Sequence, residues 1–303
     1  MPAEMRPHQA MDRNQMIAQM RINEMILYVQ EHLEQRMTLE ELASVAGYSP
    51  FHIHRIFHAY VGETLGAFIQ RLRMGKALDA LINSQKPITD IALQSGYQTP
   101  AAFSKAFKHQ FHTTPSQVRK TGQRPGMLFN LLKIVPEIRR IKMQAEIRKL
   151  PAKKVLTVTR KGLIDNNFNK TAHDAFTVLT RFISTNRIWS SLEEGCLGIC
   201  PDDGVEAPPE ESRYIAGYFL KDGAQVWARG EVEEMELPAG RVAVFIHTGP
   251  YETLWQTWNK IYQDWLSPSG EILRDSYPYE VYVNEKGIVP NEELITEIYI
   301  PIK

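Results

Sequence analysis

The chain has 303 residues, 43% of them hydrophobic, with 35 basic and 35 acidic side chains. That length suits two domains with buried cores. It holds only two cysteines, no apolar N-terminal core of a secretion signal and no apolar run of membrane-spanning length, so a disulfide scaffold, export and a membrane partner are not expected, and a cytoplasmic location is. The neutral total hides a division: residues 1–150 carry 20 Lys and Arg against 12 Asp and Glu, and residues 151–303 carry 15 against 23. A basic half joined to an acidic half points to a polyanion partner for the first half alone.

Residues 1–20 are polar and aperiodic and read as a flexible arm. From Arg21 onward, Ile22, Met25, Ile26, Val29 and Leu33 recur at helical spacing. Thr38 opens T-L-E-E, a capping box with Glu41, and the short helix that follows ends at Gly47, where a tight turn favours positive φ. Ser49-Pro50 restarts the chain with an N-cap and a first-turn proline. In this next helix Ile53, Ile56, Phe57 and Tyr60 turn to the core. Phe51, His52, His54, Arg55 and His58 are left for the outer faces, His52 as an exposed residue. The pair His54 and His58 lacks a third ligand, so no metal site is expected.

Residues 64–84 form a rod of roughly 30 Å at 1.5 Å per residue. Beyond it the layout LASVAGYSPFHIHRIF of residues 42–57 returns as IALQSGYQTPAAFSKAF at 91–107. Gly96-Tyr97 is the turn, Thr99-Pro100 the restart, and Phe103 and Phe107 the core anchors. Two copies of one helix–turn–helix on a rigid rod suit two contacts about one DNA turn, roughly 34 Å, apart.

ETLGAFIQRLRMGKALDAL, ITDIALQSGY and FSKAFKHQFHTTPSQVRK, within residues 21–120, resemble the AraC/XylS DNA-binding domain. The resemblance implies two recognition helices, at about 50–60 and 100–110, entering successive major-groove segments of promoter DNA, with RNA polymerase as a further partner. By position, Phe51, His54 and Arg55 would face base edges in the first helix. Pro100, Ala101, Ser104 and Lys105 hold the matching places in the second, and Pro and Ala are poor readers, so that unit is expected to grip phosphate more than discriminate bases. Arg71, Arg73, Lys108, Arg119 and Lys120 are the phosphate candidates.

Residues 121–146 read as a linker, with a helix stop at Arg124-Pro125-Gly126, then LLKIV and the basic IRRIK. Past it the pattern becomes short β-like runs. LPAKKVLTVTRKG (150–162) and LPAGRVAVFIHTG (237–249) align without gaps at an offset of 87, each followed by a helical stretch and two more strands. The expectation is an all-α N-terminal domain with two helix–turn–helix units. An α+β C-terminal domain over 147–303, built from a duplicated β-α-β-β unit, follows it.

LPAGRVAVFIHTGPYETLWQTWNKIYQDWL, with PYEVYVN and TEIYIPIK, resembles the GyrI-like domain. That resemblance implies an aromatic cleft with an acidic residue that takes hydrophobic, cationic or planar organic effectors. On strand alternation, Glu297 and Tyr299 share a face, and a carboxylate among aromatics invites a cation. Tyr218, Tyr251, Trp255, Glu280 and Tyr282 are the other wall candidates. Trp258 and Trp265 are assigned to the core, and Ala216 to the place matching Glu297 in the first repeat, which makes the cleft asymmetric. Some GyrI-like proteins hydrolyse or sequester reactive small molecules, and Glu297 with a tyrosine would be the acid–base pair of such an enzyme. No nucleophile motif or cofactor signature accompanies them, so no catalytic residue and no cofactor are expected.

Overall fold

Capping decides where the first helices begin and end. In the computed structural model, which describes residues 13–125, 143–163, 168–202, 209–284 and 286–303, helix α1 (Arg13–Glu31) leads to α2 (Leu39–Ala46). Thr38 Oγ accepts from the Glu41 amide at 3.2 Å while the Glu41 carboxylate reaches back to the Thr38 amide, the expected capping box. Gly47 closes α2 in the left-handed conformation at φ 63°, and its N–H returns to the carbonyls of Ala43 and Ser44. Ser49 and Pro50 then start α3 (Pro50–Val61). The arm expected over residues 1–20 is helical from Arg13, and Ala18 is buried, so α1 begins about two turns before the apolar periodicity becomes legible. The rest of that arm lies outside the described residues.

Thr64 caps the 19-residue rod α4 (Leu65–Asn83), followed by α5 (Ile88–Gln94), α6 (Pro100–Phe111) and α7 (Pro115–Thr121). The second unit packs around Phe103, Phe107 and Phe111 with Met74, Leu78 and Leu81 from the rod. The repeat extends to a pair of arginines. Arg73 donates to the carbonyls of Leu33 and Gln35 beyond the end of α1, both at 2.9 Å, and Arg119 donates to that of Leu81 in the last turn of α4 and that of Lys86 beyond it, at 2.8 and 2.9 Å. Each guanidinium thus ties together carbonyls at or just past a helix end with charge-assisted hydrogen bonds. These two phosphate candidates are thus engaged in closing their own units. Arg71 is paired with Glu63 at 2.5 Å. Most of the linker lies outside the described residues, but Met143 and Ala145 pack onto the first core.

The remainder is an eight-stranded antiparallel sheet in the order β1-β6-β8-β7-β3-β4-β2-β5. Its strands are β1 (Glu146–Leu150), β2 (Lys153–Lys161), β3 (Leu192–Ile199), β4 (Arg213–Leu220), β5 (Val232–Leu237), β6 (Gly240–Thr248), β7 (Tyr279–Tyr282) and β8 (Ile295–Ile302). Helix α8 (Asn169–Asn186) covers β2 and β4, and α9 (Leu254–Lys260), continued by a π-helical turn Ile261–Leu266, covers β6 and β8 on the same face. The duplication is present with one strand more per repeat than β-α-β-β. Each repeat opens with an extra strand, β1 or β5, and that strand crosses over: β1 pairs with β6 of the second repeat and β5 with β2 of the first. Val155 pairs with Phe219 where its counterpart Val242 pairs with Pro301, so the register puts Ile215, rather than Ala216, in the place matching Glu297.

Replacing Arg73 with Ala leaves two helix-end carbonyls unpartnered and should cost about 2 kcal/mol of stability, read from urea unfolding, with Arg73→Lys recovering less than half because one ammonium cannot span both acceptors.

Candidate functional site

Strand alternation separates the five effector candidates that lie on strands. On β7, Glu280 and Tyr282 point to the face that carries α8 and α9, with Tyr214 and Tyr218 of β4 beside them. On β8, Glu297 and Tyr299 point to the opposite face, where Tyr279 stacks on Tyr299 at 4.7 Å.

The helix-side group is closely knit. Phe176 of α8 sets its edge or face against Tyr214, Tyr218 and Tyr282 at 6.1–6.4 Å between ring centres, and Tyr251 meets Tyr282 at 5.2 Å. Trp189 adds an edge to Tyr218 at 5.8 Å. Glu280 is buried at their centre, 6% exposed, and its two oxygens accept from neutral donors, Trp258 Nε1 at 2.7 Å and Tyr282 Oη at 2.8 Å. Burial holds the Tyr214 and Tyr282 hydroxyls well above their ordinary pKa, so both stay protonated. Since the Tyr282 proton goes to Glu280, Tyr214 donates to Tyr282 across 2.9 Å and the three form a relay. Gly198 lies opposite Glu280 on the neighbouring strand, and a Cβ there would stand 2.6 Å from the Tyr282 hydroxyl and closer still to that of Tyr214. A glycine is what lets the two phenols meet.

Among the described residues no cation comes within 4 Å of the Glu280 carboxylate. A buried carboxylate served only by neutral donors is costly, by several kcal/mol before compensation. Glu297, by contrast, is already answered. Arg148 of β1 donates to both its oxygens at 3.3 and 3.4 Å, to Tyr299 Oη at 3.1 Å and to Glu146 at 2.6 Å. On that face lies an open cavity of about 410 Å³, lined by Leu150, Phe219, Tyr279, Val281, Glu297 and Tyr299 among others. The formed cavity and the acid without a counter-ion are therefore on opposite sides of the sheet.

The DNA-facing candidates divide as sharply. On α6, Ala101, Lys105 and Lys108 are exposed and Ser104 is half-buried; Lys120 is exposed too. The outer face of α3 is covered by α9 and the π-helical turn. Phe51 sets its edge against Tyr277 at 4.6 Å. His52, expected to be exposed, is fully buried: Tyr262 Oη lies 3.0 Å from its Nδ1 and the Arg274 carbonyl 3.2 Å from its Nε2. His54 is buried as well. The Arg55 guanidinium lies flat over the Trp258 ring, 3.5 Å from its centre, and His58 Nδ1 meets Asn259 Oδ1 at 2.9 Å. Gln263 donates to the Ala59 carbonyl. Trp255, a wall candidate, is half-exposed and faces His58 at 6.3 Å instead of the Glu280 group.

Residues 143–303 match the family described as the GyrI-like small molecule binding domain, and residues 42–121 match a helix-turn-helix domain. The chain belongs to the GyrI-like family, with an AraC-type helix-turn-helix region ahead of that domain. The regulatory protein SoxS of Escherichia coli strain K12 is 35% identical over 98 residues, 32% of this chain and 92% of SoxS. The transcriptional regulator Rob of Salmonella typhimurium is 36% identical over 102 residues, 34% of this chain and 35% of Rob, so the match spans about a third of that relative's length. A solved AraC-type regulator from Chromobacterium violaceum is 25% identical over 36% of this chain and 96% of its own, at a TM-score of 0.33.

Within this GyrI-like domain, sequence reasoning found Glu280, Tyr282, Tyr218 and Tyr251 but missed Tyr214 and Phe176 and assigned Trp258 to the core alone. A signal for Tyr214 was present, since RYIAGYFL sets Tyr214 and Tyr218 on one strand face. Nothing in the sequence marks Trp258 as the residue that touches both Arg55 and Glu280.

His52 makes the contact between α3 and the GyrI-like domain pH-sensitive. Its Nε2–H donates to the Arg274 carbonyl and its Nδ1 accepts from Tyr262, an arrangement open only to the neutral ring, and burial lowers its pKa to about 4. The unfolded chain therefore binds the extra proton first, near pH 6.5, so this stabilisation is complete above that value and declines as pH falls toward 4. Between pH 7 and pH 5 the loss should be about 2 kcal/mol in urea unfolding of the full chain, and His52→Gln should remove that share of the pH dependence.

Proposed function

We propose that this chain is a DNA-binding transcription regulator whose GyrI-like domain takes a hydrophobic organic cation at Glu280. The observation that carries the reading is Glu280 itself: a buried carboxylate, ringed by Phe176, Tyr214, Tyr218, Tyr251 and Tyr282, with only neutral hydrogen-bond donors on its oxygens. A delocalised cation brings its charge to that acid with little desolvation cost, and ring faces add roughly 0.5–2 kcal/mol each. Tandem helix–turn–helix units supply the reason for sensing it, since Rob and SoxS are described as regulators. Phe51, His54 and Arg55 on α3 are assigned to base reading, and Ala101, Ser104, Lys105 and Lys108 on α6 to the second groove, with Lys105 and Lys108 on phosphates. RNA polymerase is the partner such a regulator acts on, in the cytoplasm.

A second reading has its own observation. The cavity on the far face, with the Tyr279–Tyr299 stack in its wall, suits a planar neutral aromatic, because Arg148 already neutralises Glu297 there.

Tetraphenylphosphonium, with triphenylphosphine oxide as its neutral analogue, separates the two. Thermal-shift titration of the full chain should give binding of the cation and not of the analogue. Glu280→Gln should weaken it at least tenfold, about 1.4 kcal/mol, while Glu297→Gln leaves it unchanged. Loss in Glu297→Gln alone would move the site to the far face. For the DNA side, Lys108→Ala should weaken binding to all duplexes alike and reduce the slope of affinity against salt by about one unit.

A further inference from the structure

The arginine assigned to base reading and the acid assigned to the effector meet through one indole. Arg55 covers the face of Trp258, and the Trp258 ring nitrogen donates to Glu280. The Cys200 thiol feels the charges of both Arg55 and Glu280. The surroundings of Arg55 are unfavourable in one respect. Its Nε and Nη2, the pair along one edge of the guanidinium fork, are buried without a hydrogen-bond partner among the described residues. A desolvated guanidinium with three of its five N–H donors idle is held by the ring face, by its contact with the Cys200 thiol and by the fit of α3. That same edge can engage guanine O6 and N7 side by side in a major groove.

We propose that the docked α3 is an off state in which Arg55 stands in for the effector: it supplies the cation–π partner and the nearby positive charge of the Trp258–Glu280 pair. An organic cation at Glu280 takes over that charge and displaces Arg55, and α3 leaves α9 with its reading face open. DNA and effector then favour the same undocked state, and each raises the affinity of the other by the same factor. The α6 face is exposed in both states, so the docked chain keeps a weak, phosphate-based hold on DNA while base reading waits for α3. The off state is held by the hydrophobic cluster that α3 shares with α9 and the π-helical turn, and by a few polar contacts: His52 with Tyr262 and the Arg274 carbonyl, His58 with Asn259, and Gln263 with the Ala59 carbonyl. Phe51 against Tyr277 and Arg55 over Trp258 complete it.

This inference rests on the Glu280 reading, but half of its test needs no ligand. Asn259→Ala with Gln263→Ala removes two docking contacts and touches neither the DNA face nor the Glu280 group. A duplex is first selected from random sequence with that double variant. The double variant should then bind the selected duplex about tenfold tighter than the unaltered full chain in the absence of any small molecule. Tetraphenylphosphonium should bring the unaltered chain up to the same affinity and change the double variant little. A second readout is independent of DNA: in a Cys196→Ser background, maleimide labelling of Cys200 should speed up severalfold on undocking by the double substitution. Equal DNA affinity and equal Cys200 labelling with and without the double substitution would overturn the off state. If the double variant behaves as expected but the cation fails to bind the chain, the off state stands and the assignment of an organic cation to Glu280 fails instead.

Discussion

The contact on which the rest of this molecule depends is the flat stack of a guanidinium on an indole. Trp258 must be at the sheet surface because α9 buries its apolar side there, with Ile261, Tyr262 and Trp265 over Phe245, Ile298 and Ile300. Once seated, it has one polar atom and one free face. The polar atom goes to Glu280 and the face to Arg55. Neither charged group could be buried so cheaply alone: the carboxylate would lack a donor, and the guanidinium would lose its hydration for nothing. The ring therefore joins an acidic and a basic side chain through its nitrogen and its face. The helical region and the sheet share one hydrophobic cluster around this point, with α3 as the element common to both.

The duplication in the sheet explains why there is one acid and not two. The repeats keep their register closely enough that β3 and β7 lie side by side and Gly198 faces Glu280. An acid in both places would set two buried carboxylates next to each other, and one would have to take up a proton. The glycine avoids that and makes room for the Tyr214–Tyr282 contact. The far face breaks symmetry differently: Glu297 has an arginine from the crossed strand, while its matching residue Ile215 is apolar and needs none.

Much of this was legible in the chain. Thr38, Gly47, Ser49-Pro50 and Thr99-Pro100 mark their helix ends because capping is local chemistry, and each does what its residue type dictates. The repeats were visible at both levels for the same reason. Three features were not. The early start of α1 was hidden because Arg13 to Met20 lack an apolar stripe. The crossing of β1 and β5 is a choice of partner, and the sequence of a strand says which face is buried but not which neighbour it joins. The burial of His52 and Arg55 was hidden because both are side chains that a helix surface normally gives to water; only the arrival of a second surface, 200 residues away in sequence, makes them interior. In the aromatic group around Glu280, the strand residues Tyr218 and Tyr282 were among the candidates the sequence offered, whereas alternation singled out Glu297 and Tyr299 on the opposite face, and Phe176 of α8, which closes over the group, was not legible.

The crossed edge strands have a further bearing on how the sheet comes together. Neither half of the duplication owns its outermost ribbon: the first repeat lends β1 to the second and receives β5 in return. A single repeat would be left with a bare row of amides and carbonyls along β2 or β6, the kind of rim that recruits another chain. The exchange thus locks the two halves into one cooperative body, assembled only once residues 74 to 98 positions apart have met, and it sets the segment leading out of the DNA-binding region into the far repeat and not the near one.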